Sequence, residues 1–275
     1  AQRQDTPALF EMQQRHKWYR QPDVAVPVFL VVLGLAFVAS YGGTTARFSS
    51  EFAPPGDVRF GWEYFFHLIP QMLRGLYITA RATVLGFLIA LSFGLVLALL
   101  RRSDIRAVSW PAALVIEFIR STPILVQLFF AQVLVRAIQG LSLDPITILF
   151  VVLGIHYATY CSEAYRAGIN SVPKGQWEAS LALNLNPLTK WVRIIIPQAV
   201  PNVLPTLGNY LVAAFKDAPI GDPVLSVPGV LFFATWIRAD DFRPVEPFLL
   251  IGVGFLLVSL PAAWLVRRLE ERIEY

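Results

Sequence analysis

The chain has 275 residues, of which 56% are hydrophobic and 15% charged, with a mean hydropathy of +0.56, whereas a soluble domain carries roughly 25% charged residues. That balance excludes an ordinary soluble globule and identifies an integral membrane protein. The net charge of +4 lies mostly beside apolar runs, and no basic stretch is interleaved with stacking aromatics, which excludes a nucleic-acid partner.

Apolar runs recur near 24–41, 76–100, 107–138, 143–161, 198–215 and 247–266. As helices, each is long enough to cross a hydrocarbon core of about 30 Å. The expected fold is therefore all-α with six transmembrane helices. Gly and Pro inside the runs (Gly34, Gly86, Gly94, Pro123, Gly154, Gly254, Pro261) are tolerated because neighbouring helices re-satisfy the backbone. Residues 1–23 read as a cytoplasmic arm and 24–42 as an extra transmembrane helix. It is read as an anchor and not a signal peptide, since no convincing small-x-small cleavage site follows Ala36. Residues 43–67 read as an external linker, with Trp62, Tyr64, Phe65 and Phe66 at the membrane interface, and 68–275 as a five-helix unit.

Orientation follows the basic clusters. Arg101, Arg102 and Arg106, then Lys174, Lys190 and Arg193, then Arg267, Arg268 and Arg272 alternate as cytoplasmic turns of a six-helix chain with both termini inside. The proline-broken segment between the last two runs falls outside, with a short re-entrant or surface helix expected at 224–237. Cys161 is alone, and His16, His67 and His156 lie far apart, so neither a disulfide framework nor a metal site is expected.

Charges within the runs need a reason, because a lone charge at mid-bilayer costs about 2.5–3.5 kcal/mol. Glu117 with Arg120, and Glu163 with Arg166, are i,i+3 pairs that share a helical face. They either contact a zwitterionic solute and gate its path, or clamp helices and meet headgroups. Thr122 and Gln127 flank Pro123, where a broken helix would line a site. Tyr160, Asn209, Tyr210, Lys216 and Asp217 complete the substrate-path candidates.

Residues 159–197 are polar, charged and interrupted by proline within an otherwise apolar chain, which suits a handle for a soluble partner. Glu178–Leu183 reads as a short helix, Asn184 as a left-handed end, Asn186–Pro187 as a turn, and Leu188–Ile194 as a second helix stopped by Pro197. The run matches the spacing E-A-A-x3-G-x9-I-x-L-P through Glu178, Ala179, Ser180, Asn184, Ile194, Ile196 and Pro197. Ser180, Asn184 and Ile196 depart from it, and Asn is the non-glycine residue most at ease in the left-handed region.

With this signature the chain resembles the permeases of ABC importers of type I. EFIRSTPILVQLFF, EAYRAGINSVPKGQWEA, PQA and NYLVAAFKDAP, in that order, resemble the polar amino-acid subfamily (histidine, glutamine and arginine importers). The terminal FRPVEPFLLIGVGFLLVSLPAAWLVRRLEER is similar to the ectoine and hydroxyectoine branch, whereas KDAPI and the following Gly221-Asp222-Pro223 depart from the family's usual KD[ST][PS]L. The resemblance implies that Gly175, Glu178, Ala179, Ser180, Asn184, Ile194 and Pro197 couple to an ATPase, within a coupling segment at 173–197. It further implies two cytoplasmic ABC ATPase subunits, a second permease subunit, and an extracytoplasmic solute-binding protein, in a bacterial cytoplasmic membrane. The chain has no phosphate loop and no Gly-Lys dipeptide, so ATP and Mg are expected only in the partner ATPase, and no catalytic residue or cofactor is assigned to this chain. Two other classes remain open: a secondary transporter or channel, and an intramembrane enzyme built on His156 and Cys161.

Overall fold

In the computed structural model the residues described are 60–140, 142–241 and 243–273. The arm at 1–23, the extra helix at 24–42 and most of the linker at 43–67 lie outside them. Among the described residues the fold is all helix.

Helix α1 (Trp62–Arg101) has 40 residues, about 60 Å at 1.5 Å per residue, and the run at 76–100 is only its second part. Residues 62–67, expected in the linker, already belong to it. The reason is a periodicity hidden among the aromatics: Tyr64, Leu68 and Met72 recur at helical spacing and pack against Val230 and Ile237. Tyr64 is therefore buried, contrary to the interfacial expectation, while Trp62 and Phe66 stay exposed.

The run at 107–138 is not one straight helix. Helix α2 (Arg106–Ser121) and helix α3 (Ile124–Ala137) meet at 107°. The residue before a proline is driven out of the helical region, and Thr122 accordingly sits at φ −104°, ψ 134°. The carbonyls released there do not go unpaired. Gln127 Nε2 donates to Ile119 O at 2.8 Å and Thr122 O at 3.1 Å, and the Thr122 hydroxyl donates to Phe118 O at 3.0 Å.

Helix α4 (Pro145–Asn170) packs along α1 through small residues. A Cβ added at Gly86 would lie 2.8 Å from Phe150 O, at Gly94 2.8 Å from Ala158 O, and at Gly154 2.8 Å from Gly86 O. Without a hydrophobic drive between helices in lipid, such backbone approach supplies the packing. Helices α5 (Lys174–Ala182) and α6 (Pro187–Lys190) follow, then a π-turn over Trp191–Ile195 and helix α7 (Ile196–Asp217).

After α7 come a 3-10 turn (Ala218–Ile220), α8 (Gly221–Leu225) and α9 (Val230–Asp240), the last bent by 49° from the preceding pieces. The short helix expected at 224–237 is thus two helices separated by left-handed Ser226, φ 59°. The start of α9 is capped from a distance: fully buried Asp222 accepts from Leu231 N at 3.1 Å, and Thr79 Oγ1 accepts from Val230 N at 3.2 Å.

Helix α10 (Val245–Ile273) returns along α7, with Phe255 on Phe215 at 4.9 Å. At its first turn buried Glu246 accepts from Arg243 at 2.6 Å and from Gly61 N at 3.0 Å, Arg243 lies 4.5 Å over the Tyr64 ring, and Tyr64 donates to Asp241. This knot ties the start of α1 to the α9–α10 junction. Among the described residues three unbroken helices (α1, α4, α10) are long and apolar enough to cross a membrane, and counting each bent pair as one span brings the number to five, the number expected for the core.

The Gly94→Val variant is expected to lose about 1–3 kcal/mol from overpacking against a backbone carbonyl that cannot turn aside. Gly252→Ala, where a Cβ meets nothing within 4 Å, should be neutral. Thermal unfolding of the two variants in lipid checks the difference.

Candidate functional site

The break between α2 and α3 aims Arg120 and Gln127 at the middle of α4. The Arg120 guanidinium lies 5.2 Å over the Tyr160 ring. Tyr160 in turn meets His156 at 5.3 Å, Tyr157 at 5.7 Å and, across on α7, Tyr210 at 5.7 Å. Gln127 Oε1 is 3.2 Å from His156 Nδ1, and the Tyr157 hydroxyl donates to Asp217 Oδ2 at 2.6 Å. A guanidinium, an amide, an imidazole, three phenols and a carboxylate thus converge where α2, α3, α4 and α7 meet, with His156 and Tyr157 buried and Arg120 exposed. Such a set can hold both ends of a zwitterion through charge-assisted hydrogen bonds while the rings flank its body.

One to two turns along α4, Glu163 sits between Arg101 at 2.8 Å and Arg166 at 2.5 Å. Glu163, Arg166, Ser171, Asn202, Thr206 and Tyr210 line an open cleft of about 420 Å³. Glu163 and Arg166 therefore pair as their spacing suggests, with Arg101 of α1 as a further member that the spacing did not show.

The structure separates the remaining candidates. Glu117 and Arg120 share α2 but form no ion pair among the described residues, because Arg120 turns to Tyr160. Glu117 is exposed. Thr122 serves the backbone of the break. Asn209 is exposed on α7, and Lys216 points away from the phenols into a second cleft of about 580 Å³ between α7 and α10, lined also by Phe255, Ser259 and Arg267. His156, considered from the sequence beside Cys161, and Tyr157, not singled out there, join this cluster. The signal was present: His156, Tyr160 and Glu163 form one i, i+4, i+7 stripe of polar and aromatic residues.

The second feature is an elbow. Helix α5 begins at Lys174, four residues before the expected start at Glu178. It ends in a Schellman motif: Asn184 is left-handed at φ 49°, its N–H donates to Leu181 O at 2.9 Å, and Leu185 N donates to Ser180 O at 3.1 Å. Asn186 then caps α6, its side chain accepting from Thr189 N at 2.8 Å. Pro197 does not stop the second limb. It falls at the start of α7, directly after the π-turn, where an N–H is not required of it. Buried Ser180 donates to Trp177 O at 2.6 Å, and Val172, Ile195 and Ala199 seat the elbow on the bundle. Its outer side presents Gly175, Glu178 and Ala179 together with Leu181, Leu183 and Leu188, each of these leucines more than two-thirds exposed.

Residues 90–275 match the model of the binding-protein-dependent transport system inner membrane component. The chain belongs to that family. Among its relatives, a probable amino-acid ABC transporter permease protein, y4tG, of Sinorhizobium fredii is 40% identical over 200 residues, covering 73% of this chain and 86% of the other. The glutamine transport system permease protein GlnP of Escherichia coli is 32% identical, covering 79% and 99%. Among solved structures, that of an amino acid ABC transporter with histidines superposes with a TM-score of 0.71 at 30% identity, covering 78% of this permease and 99% of that chain. A chain of the MetNI methionine ABC transporter shares the fold at a TM-score of 0.59 and 19% identity, covering 78% and 99%.

In the permease, Tyr157→Phe and Asp217→Ala each remove the hydrogen bond between these two side chains, at a cost of about 1–3 kcal/mol where the remaining partner is left unpaired. Each single variant should lower the unfolding temperature, and the double variant should be no less stable than the weaker single. A thermal-unfolding double-mutant cycle measures this.

Proposed function

We propose that the chain is the transmembrane permease subunit of an ATP-driven ABC importer for polar amino acids or related zwitterions, with ectoine and hydroxyectoine among the candidate solutes. The observation that carries this reading is the elbow: two helices fixed at a defined angle by a Schellman motif and an N-cap, presenting Glu178 and three leucines that nothing in the described chain covers. Exposed apolar groups on a rigid, capped bend are what a soluble partner's cleft requires. The relatives named as permeases for glutamine, arginine and L-cystine support the solute class, as does the cluster of Arg120, Tyr160, Tyr210 and Asp217.

In this reading the arginine-rich end of the bundle, both termini and the elbow are cytoplasmic. Two ATPase subunits, which hold ATP and Mg, dock on the elbows of this chain and of a second permease subunit. An extracytoplasmic binding protein delivers the solute near α9. Closure of the ATPase pair swings each elbow as a rigid body, and the cavity switches its access. The elbow residues Gly175, Glu178, Ala179, Ser180, Asn184, Ile194 and Pro197 shape or line the docking face. Arg120, Gln127, His156, Tyr157, Tyr160, Tyr210 and Asp217 receive the solute.

The test is ATP hydrolysis by the co-purified complex in lipid with binding protein and ectoine, arginine, glutamine or glutamate. One solute should stimulate hydrolysis, and Glu178→Arg should abolish the stimulation. No co-purifying ATPase and no stimulation by any solute would overturn the proposal in favour of secondary transport.

A further inference from the structure

Arg102 stands one residue beyond α1 and makes contacts that neither the fold nor the solute cluster requires. Its Nη1 donates to Asn170 Oδ1, the last residue of α4, at 2.9 Å. Its guanidinium lies 5.2 Å from the Trp177 ring and 5.8 Å from the Trp191 ring. Those two rings meet edge-on at 5.5 Å and 85°, forming a corner around the cation. Trp177 belongs to α5 and Trp191 to the turn after α6, so one side chain holds both limbs of the elbow. The Lys190 ammonium, 5.9 Å from Trp177, adds a second cation to the same ring.

We infer that Arg102 is a positioning residue that fastens the elbow to the end of α1, so that a displacement of the elbow is delivered to α1 directly. This inference rests on the proposed function, in which the elbow receives the stroke. Chain connectivity links the elbow only to α4 and α7. Its link to α1 runs through space, and Arg102 is the side chain that spans it. Arginine suits the post because its flat guanidinium faces aromatic rings and donates hydrogen bonds at once, whereas an ammonium is more strongly hydrated and lacks the planar fork. Beside it Arg101 fixes the same end of α1 to Glu163 of α4. At the other end α1 carries the Tyr64 knot, which holds the α9–α10 junction. A stroke entering at Trp177 and Trp191 therefore has a continuous rigid route to the opposite face of the bundle, where access must open or close.

The test uses the full complex of permease, ATPase subunits and binding protein in lipid vesicles, recording solute uptake per ATP hydrolysed. Arg102→Gln should assemble and hydrolyse ATP but lose about fivefold in uptake per ATP, in line with a cation held on exposed rings. Arg102→Lys should recover part of that ratio. Trp177→Phe should lower it less than Arg102→Gln and add nothing on top of it. In parallel, spin labels at Ser103→Cys and Lys174→Cys, in a Cys161→Ala background with Arg102 intact, should report the same separation without nucleotide and with ATP bound. That measurement decides the matter even where Arg102→Gln fails to assemble. A separation that changes between the two nucleotide states, or unchanged uptake per ATP in Arg102→Gln beside an ATP-driven wild type, would overturn this inference alone. A wild type without ATP-driven uptake would overturn the proposed function and this inference with it.

Discussion

The structure depends on the close approach of α1 and α4. Lipid gives two apolar helices no reason to associate, so their backbones must come near enough for dispersion forces to act over a long seam. Gly86, Gly94 and Gly154 open that seam, since each would place a Cβ within 2.8 Å of a facing atom. With α1 and α4 fused in this way, the irregular pieces have a fixed wall to lean on. The α2–α3 break, the α8–α9 bend and the elbow are each held by one or two side chains.

Those side chains share a device. At three interruptions of the helix ladder a polar side chain takes up loose backbone groups: Gln127 at the α2–α3 break, Asp222 and Thr79 at the start of α9, Asn186 at α6. In a low-dielectric interior an unpaired amide is costly, so such repair decides where non-helical backbone can exist at all. It also frees geometry for chemistry. The break that Gln127 repairs brings that same side chain to His156, and places Arg120 on Tyr160.

Much of this was legible in the sequence and some was not, for identifiable reasons. The apolar runs placed the long helices and the two bent pairs, and Asn184 and Asn186 marked the bend, because left-handed ends and N-caps are local properties of a few residues. The early start of α1 was hidden because Trp62, Phe65 and Phe66 look interfacial, although Tyr64, Leu68 and Met72 keep a buried helical rhythm. Pro197 looked like a stop because a proline's effect depends on what precedes it, and a π-turn does not announce itself in composition. The Arg120–Tyr160 contact depends on a 107° break whose angle no local pattern encodes. Lys216 and Asp217 are neighbours in sequence, yet only the packing shows that Lys216 lines the cleft against α10 while Asp217 meets Tyr157 of α4.

The π-turn at Trp191–Ile195 has a consequence for how this segment can vary. A π-turn amounts to one residue inserted into a helix, and in an α-helix each residue accounts for about 100° of rotation. Removing one residue there would not so much shorten α7 as spin it about its axis, carrying Asp217 away from Tyr157 and Tyr210 away from Tyr160. Chain length between the elbow and α7 is in this sense an angular setting, and insertions or deletions in it are read by the bundle as a turn of the dial.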